Sequence, residues 1–266
     1  MYLTSLHKNK ECEDMDRIGE ERYNNFGSLM RIINYRSSKD IDVYFPEYGW
    51  MCKHIRYDNF TRGKVKCPYE PRYHDHGYLG EGVYEIKENG EFTKCYRTWY
   101  HMLERCYGQL SASKTPTYKD CYVCDEWLNY QKFAYWFENN YYQINDDIME
   151  LDKDILYKGN KIYSPDTCVF VNSKINTLFV KSDTIRGGLP IGVTVDKRRE
   201  NVFYARCNNG EGKRIFIKTC SSIEEAFNEY KNFKEQLIKN IAEEYKEQIP
   251  LKLYNALINY EVDIND

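Results

Sequence analysis

Apolar and polar positions along the chain change period several times, and each change predicts an element. Between Leu29 and Tyr69 the runs LMRIINY, IDVYFPEYG and WMCKHIRY alternate or stay β-branched and aromatic, with the turn-like RSSKD and the Gly-containing DNFTRGKVKCP around them. That pattern predicts short strands and a small β module. The period then becomes helical: Tyr96, Trp99, Met102, Leu103 and Cys106 fall on one face, with Gly108 as the stop. CDEWLNYQKFAYWFENNYY predicts a second amphipathic helix on Trp127, Leu128, Phe133, Trp136 and Phe137. MELDKDILYKGNKIYSPDTCVFVN predicts a β-hairpin turning at Lys158-Gly159-Asn160, and SKINTLFV a short closing helix. After the hinge-like SDTIRGGLP come three strands, GVTVD, VFYARC and KRIFIKT, then a helix from about Ser222 to Lys246. Pro250 ends it, and LKLYNALINY predicts a last short helix.

These signals divide the chain into a polar arm (1–25), a small β module (26–72), a Gly-, Pro- and Tyr-rich connector (73–95) and an αβ unit (96–180). A linker (181–190), a three-strand-plus-helix module (191–248) and a short helix with its tail (249–266) follow. The expected class is α+β. Aromatics recur in every segment, 26 of them Tyr, so each module has the means to bury a core despite a low mean hydropathy.

No run reaches the ~18–20 apolar residues of a membrane span, and MYLTSLHKNKECEDMDR lacks the apolar stretch of an export signal. Ten Cys scattered through such a chain read as reduced thiols in a cytoplasm. A net charge of −3 excludes a general polycation but not a basic face. Lys53, Arg56, Arg62, Lys64, Lys66 and Arg72 form one local cluster. Lys197, Arg198, Arg199, Arg206, Lys213, Arg214 and Lys218 form another.

Strand alternation in the last module separates two faces. Val193, Val195, Phe203, Ala205, Cys207, Ile215 and Ile217 make a dry one. Thr194, Asp196, Tyr204, Arg206, Arg214, Phe216 and Lys218 make a basic, aromatic one. The stripe Ala226, Tyr230, Phe233, Leu237 and Ile241 suits a helix packed on the dry face, opened by a Ser222–Glu225 capping box. The run GVTVDKRRENVFYARCNNGEGKRIFIKTCSSIEEAFNEY resembles the APETALA2-type DNA-binding domain. The resemblance lies in the opening Gly-Val, the Phe203–Ala205 spacing and Ser222-Ile223-Glu224-Glu225-Ala226 at the helix start. Phe203 stands where the family has Trp, and Ile217-Lys218 where it has Leu-Gly. The resemblance implies that Lys197, Arg199, Tyr204, Arg206, Lys213, Arg214 and Phe216 face DNA.

WYHMLERCY, VCDEWLNYQKF, LDKDILYKGNKIYSPDTCVFV and Asn176 resemble, in order and spacing, phage proteins of the HNH-endonuclease-like (His-Me finger-like) group. Such a site needs a His base and a divalent metal. Here Asp152-Lys153 replaces the group's Asp-His, and no His follows His101. A Lys is normally protonated near neutral pH and a poor base. The unit therefore reads as catalytically degenerate; were it a nuclease, Asp152, Lys153, Asn160 and Asn176 would be its residues and Mg²⁺ its metal. Cys121 and Cys124 form a CxxC that, with Cys106 and Cys168, has the donors of a zinc site. One pair with two singletons on apolar faces favours buried thiols instead. His74-Asp75-His76 reads as a loop.

The N-terminal β module also resembles one found ahead of such regions in phage proteins. Its Lys53, Arg56, Arg62, Lys64 and Lys66, among Tyr57, Phe60 and Tyr69, suit phosphate contact by the cations and packing or stacking by the aromatics. The expected protein is a phage-type binder of double-stranded DNA in a bacterial host's cytoplasm, with no resident cofactor. A metal-dependent homing-type endonuclease and a phage protein that binds a host protein are the alternatives.

Overall fold

The computed structural model describes residues 17–108, 118, 120–179 and 188–265. The chain divides into two compact units, Met1–Tyr135 and Trp136–Asp266. The class is α+β, with several small antiparallel sheets. The boundary between the units falls inside the segment read as one 96–180 module. The 181–190 linker lies mostly outside the described residues, as does most of the 1–25 arm.

The first unit opens with β1 (Glu21–Tyr23), β2 (Leu29–Ser37), β3 (Asp40–Phe45) and β4 (Trp50–Ile55), an antiparallel meander in that order. Glu21–Tyr23, within the segment expected to be a frayed arm, forms the edge strand. Its ladder to β2 runs from Glu21↔Arg31 to Tyr23↔Leu29, and the Glu21 carboxylate pairs with Arg31 at 2.6 Å. Charged residues suit an edge, where one side of the strand has no partner. Met30, Ile32, Ile41, Val43 and Phe45 turn inward onto Phe60 of the short helix α1 (Tyr57–Thr61), with Val65 and Cys67 completing the core.

The small hairpin β5 (Lys87–Glu88) and β6 (Glu91–Phe92) leads into α2 (Lys94–Tyr107), whose N-cap Thr93 accepts a hydrogen bond from the Tyr96 amide. The segment expected as a connector is well packed: Tyr73 meets Trp99 edge-on at 5.0 Å. Gly77 lies so near Leu103 that a Cβ there would come within 2.3 Å of it. After β7 (Tyr122–Val123), the expected single amphipathic helix is two, α3 (Asp125–Leu128) and α4 (Tyr130–Asn140). Asn129 between them is extended, bridges to Tyr78, and caps α4 by accepting from the Gln131 amide. The unit boundary falls within α4.

In the second unit β8 (Met149–Asp152) pairs antiparallel with β10 (Val169–Asn172), from Asp152↔Val169 to Met149↔Asn172. The turn at Lys158–Asn160 forms as expected, with Asn160 N–H donating to the Tyr157 carbonyl. It lies, however, in a long excursion that includes β9 (Ile162–Tyr163), rather than closing a simple hairpin. Asp152 causes the departure: its Oδ1 accepts from the amides of Asp154 and Ile155 and turns the chain out of the strand. The short helix α5 (Ser173–Leu178) follows, capped by Asn172.

The strands β11 (Val193–Val195), β12 (Phe203–Asn208) and β13 (Arg214–Cys220) form a three-stranded antiparallel sheet packed on α6 (Ile223–Tyr245); α7 (Leu251–Ile258) follows. The expected apolar stripe of α6 is broader than the sequence reading and serves two cores in succession along the helix. Ala226, Phe227 and Tyr230 seal the sheet. Ile238, Ile241 and Ala242 enter a second core with Ile155, Val169, Val171, Ile175, Leu253 and Leu257. Leu237 touches both. Ser222 accepts from the Glu225 amide as a cap, but the Glu225 carboxylate returns to Ser221 rather than closing the box on Ser222.

Gly192, at φ +80°, sits under the Tyr230 ring, where a Cβ would come within 2.1 Å. Gly192→Ala is therefore expected to destabilise the second unit by about 2–4 kcal/mol through combined backbone strain and overpacking. Urea unfolding checks this, and a change within about 0.5 kcal/mol would contradict the packing described.

Candidate nucleic-acid interface

With α6 covering one face of the β11–β12–β13 sheet, the other face is open, and its side chains are ordered by one acid. The Tyr204 hydroxyl donates to Asp196 Oδ2 at 2.6 Å, Arg199 Nε reaches the same oxygen at 2.7 Å, and Arg199 Nη2 donates to the Tyr204 hydroxyl at 2.7 Å. The Arg198 amide adds a bond to Asp196 Oδ1. The Tyr204 hydroxyl foremost, then the amide and guanidinium, hold this carboxyl far below the usual carboxylate range. The Tyr204 ring in turn carries the Arg206 guanidinium 5.2 Å from its centroid and meets Phe216 edge-on at 6.0 Å. Phe216 is 56% exposed, a large cost in water for an aromatic with no other task. Arg206 Nε and the Thr194 hydroxyl are buried with no hydrogen-bond partner among the described residues. Lys197, Arg198, Lys213 and Arg214 stand exposed around this centre.

One expected face assignment is corrected. The register slips between Ala205 and Arg206, so Ala205 pairs with Lys218 while Arg206 pairs with Phe216. This bulge takes Lys218 off the open face and onto α6, where its ammonium meets Glu229 at 2.6 Å and Glu225 at 3.2 Å. Those two carboxylates, Glu229 first, raise its pKa. Val195 lies on the dry face opposite Phe203 as expected, but at the end of its strand it is 46% exposed.

The residues that would serve a nuclease have other duties. Lys153 is buried, and its ammonium donates to Asp154 at 3.1 Å and to the Asn160 carbonyl at 3.2 Å. Asn160 donates to the carbonyls of Lys153 and Ile162, and Asn176 donates to Glu150 at 2.7 Å. Asp152 spends Oδ1 on two backbone amides. An ammonium inside the donor set and amides turned toward other acceptors do not fit a divalent ion there.

Elsewhere the only trio of metal-ligating side chains within mutual reach, among the described residues, is Asp40, Asp42 and His54, which the sequence reading did not single out. The Arg36 guanidinium already spans both carboxylates, at 2.9 Å to Asp40 and 2.6 Å to Asp42, and holds both low in pKa. It offsets one of the two carboxylate charges and occupies an oxygen of each without an ion. Cys106, Cys121 and Cys124 form no such trio, and Cys168 is buried in the other unit. His76 stacks flat on Tyr107 at 3.7 Å, so the His74–His76 loop packs on α2.

In the N-terminal cluster Lys53, Arg62 and Lys64 are exposed, whereas Arg56 pairs with Asp58 at 2.9 Å. Phe60 is fully buried, Tyr57 donates to Glu20, and Tyr69 donates to Glu81. None of the three aromatics named for stacking there is free to do it. The exposed aromatic beside these cations is Phe26 instead, which the sequence pattern hid inside a turn.

Burial and the neighbouring Asp154 carboxylate push Asp152 up to about 6. The folded chain thus binds this proton more tightly than the unfolded one. The group favours folding below about pH 4, and that contribution is lost as pH rises through about 6. Asp152→Asn keeps the acceptor and removes the titration. Its stability should rise relative to the parent by about 1–3 kcal/mol between about pH 4 and 7. Urea titrations across that range check it, and parallel profiles would contradict it. No known family model, curated protein or solved structure matches the chain, so its function is read from this geometry.

Proposed function

We propose that the chain is a double-stranded DNA-binding protein whose C-terminal sheet lies in the major groove. The observation that carries this is the open face just described. Arg206 lies over Tyr204 beside exposed Phe216, ringed by Lys197, Arg198, Lys213 and Arg214, on a three-stranded sheet made rigid by one helix. A two- or three-stranded ribbon fits the major groove, and Arg is the side chain best suited to guanine there. Exposed Lys and Arg at the rim supply phosphate contacts that set register without reading sequence. Arg199 acts with Asp196 and Tyr204 as one unit and orients its neighbours rather than searching for phosphate.

The three-strand-plus-helix order supports kinship with the APETALA2-type domain. In this reading the hairpin unit, HNH-like in sequence, serves as scaffold and needs no metal. A phage origin and a bacterial cytoplasm belong to the same proposal. No helix among the described residues is long and apolar enough to cross a membrane.

Binding to a random duplex library in a salt series tests the proposal. The parent should bind with a steep negative log–log salt slope, and Lys213→Gln with Arg214→Gln should reduce that slope by about 2. Arg206→Gln should lose about 10- to 100-fold discrimination between preferred and non-preferred sites. Lys218→Gln should change affinity by less than about 2-fold, since its ammonium is committed to α6. Equal loss in the Lys218 and Arg206 variants would contradict this face, and salt-insensitive binding would redirect the search to a protein partner.

A further inference from the structure

The first unit carries a second cationic and aromatic surface, built independently of the sheet. Between β1 and β2 the chain reverses through Asn24–Ser28. Asn24 Oδ1 accepts from the amides of Phe26 and Ser28 at 3.0 and 2.9 Å, and Gly27 supplies φ +92°. The turn is clamped from below. Asn24 Nδ2 donates to the Val65 carbonyl and to the buried Glu70 carboxylate, and the Asn25 amide donates to the Gly63 carbonyl at 2.9 Å. Gly63, at φ +64°, leaves no room for a Cβ against Asn25. This rigid platform holds Phe26 half exposed.

Cations converge on that ring. The Arg72 guanidinium lies 5.1 Å and the Lys66 ammonium 5.7 Å from its centroid. Arg72 is mostly buried, lies 3.8 Å from Glu70, and its Nε has no hydrogen-bond partner. Burial alternates along Gly63–Cys67: Val65 and Cys67 enter the core while Lys64 and Lys66 point out, with exposed Arg62 just before them. Lys64 and Lys66 form no ion pair with an acidic side chain among the described residues, while Arg62 lies close enough to Asp58 to help lower its pKa.

We propose that this surface binds a single strand of nucleic acid, with one unpaired base stacked on Phe26 and neighbouring phosphates on Lys64, Lys66 and Arg62. The rigid turn removes most of the ordering cost of presenting the ring. An aromatic π-face is of use to a base only when that base is already unstacked, which selects a single strand over a duplex. Exposed Lys64 and Lys66 beside the ring, with Arg62 just before them, match a phosphate chain in charge.

The test measures fluorescence anisotropy of the full chain with labelled oligothymidylate and oligouridylate of about 15 nucleotides and a duplex of equal length. Phe26→Ala should weaken binding to the single strands about 5- to 100-fold at unchanged salt slope, and Phe26→Trp should restore it. Lys64→Gln with Lys66→Gln should lower the slope by about 1.4. The two oligonucleotides separate DNA from RNA as the preferred strand, and either preference supports the proposal. The turn is held by the Asn24 side chain and by backbone bonds rather than by the Phe26 ring, so unchanged thermal melting of the Ala variant confirms that folding is intact. Single-strand affinity indifferent to Phe26→Ala would overturn the proposal, as would equal competition by polyglutamate in parent and variant. Single-strand binding indifferent to Phe26→Ala, with duplex discrimination that fails in Arg206→Gln, would leave the sheet reading standing without this one. Phe26-dependent single-strand binding with no duplex binding would do the reverse.

Discussion

The second unit depends on one helix having to satisfy two cores at once. Ala226, Phe227 and Tyr230 close the sheet, and Ile238, Ile241 and Ala242 close the core around the β8–β10 pair. Each fully buried aliphatic side chain contributes about 1.5–3 kcal/mol. Neither core has another element that could replace α6. Because α6 fully covers one face of the sheet, the other is left to solvent. An exposed Phe216 and the unpartnered Arg206 Nε then stand out as features that packing alone would not retain.

What that face presents is decided by two local events. The bulge at Ala205/Arg206 hands Lys218 to the helix and leaves Arg206 opposite Phe216. The Asp196 carboxylate then fixes Tyr204, and Tyr204 positions both Arg206 and Phe216. An acid inside a basic patch weakens its net attraction for phosphate. Under the proposed function it exchanges some attraction for geometry, which would favour recognition of base edges over non-specific adhesion. The hairpin unit shows the opposite outcome: Lys153, Asn160 and Asn176 are absorbed into hydrogen bonds that stabilise a long excursion.

Strand and helix identities were legible wherever the period was clean. The three strands of the C-terminal sheet, α6, α7 and the β2–β4 meander lie where alternation and helical spacing put them. The exceptions have physical causes. A bulge reverses parity and is invisible to an alternation count, so Lys218 was assigned to the wrong face. Phe227, Ile238 and Ala242 widen the expected stripe of α6, and a helical period alone does not show that its two ends meet different cores. Asn129 breaks a helix through a tertiary bridge to Tyr78, which no local propensity reveals. Phe26 was overlooked because a turn residue has no period, and its cations are adjacent only in space.

The central claim is that nucleic acid meets the open face of the β11–β12–β13 sheet. Amide chemical-shift mapping during titration with a short duplex tests it most directly. The account predicts the largest shifts at Thr194, Tyr204, Arg206, Lys213, Arg214 and Phe216, with little change along the solvent side of α6. Shifts centred on α6, or none in the sheet at saturating duplex, would contradict it.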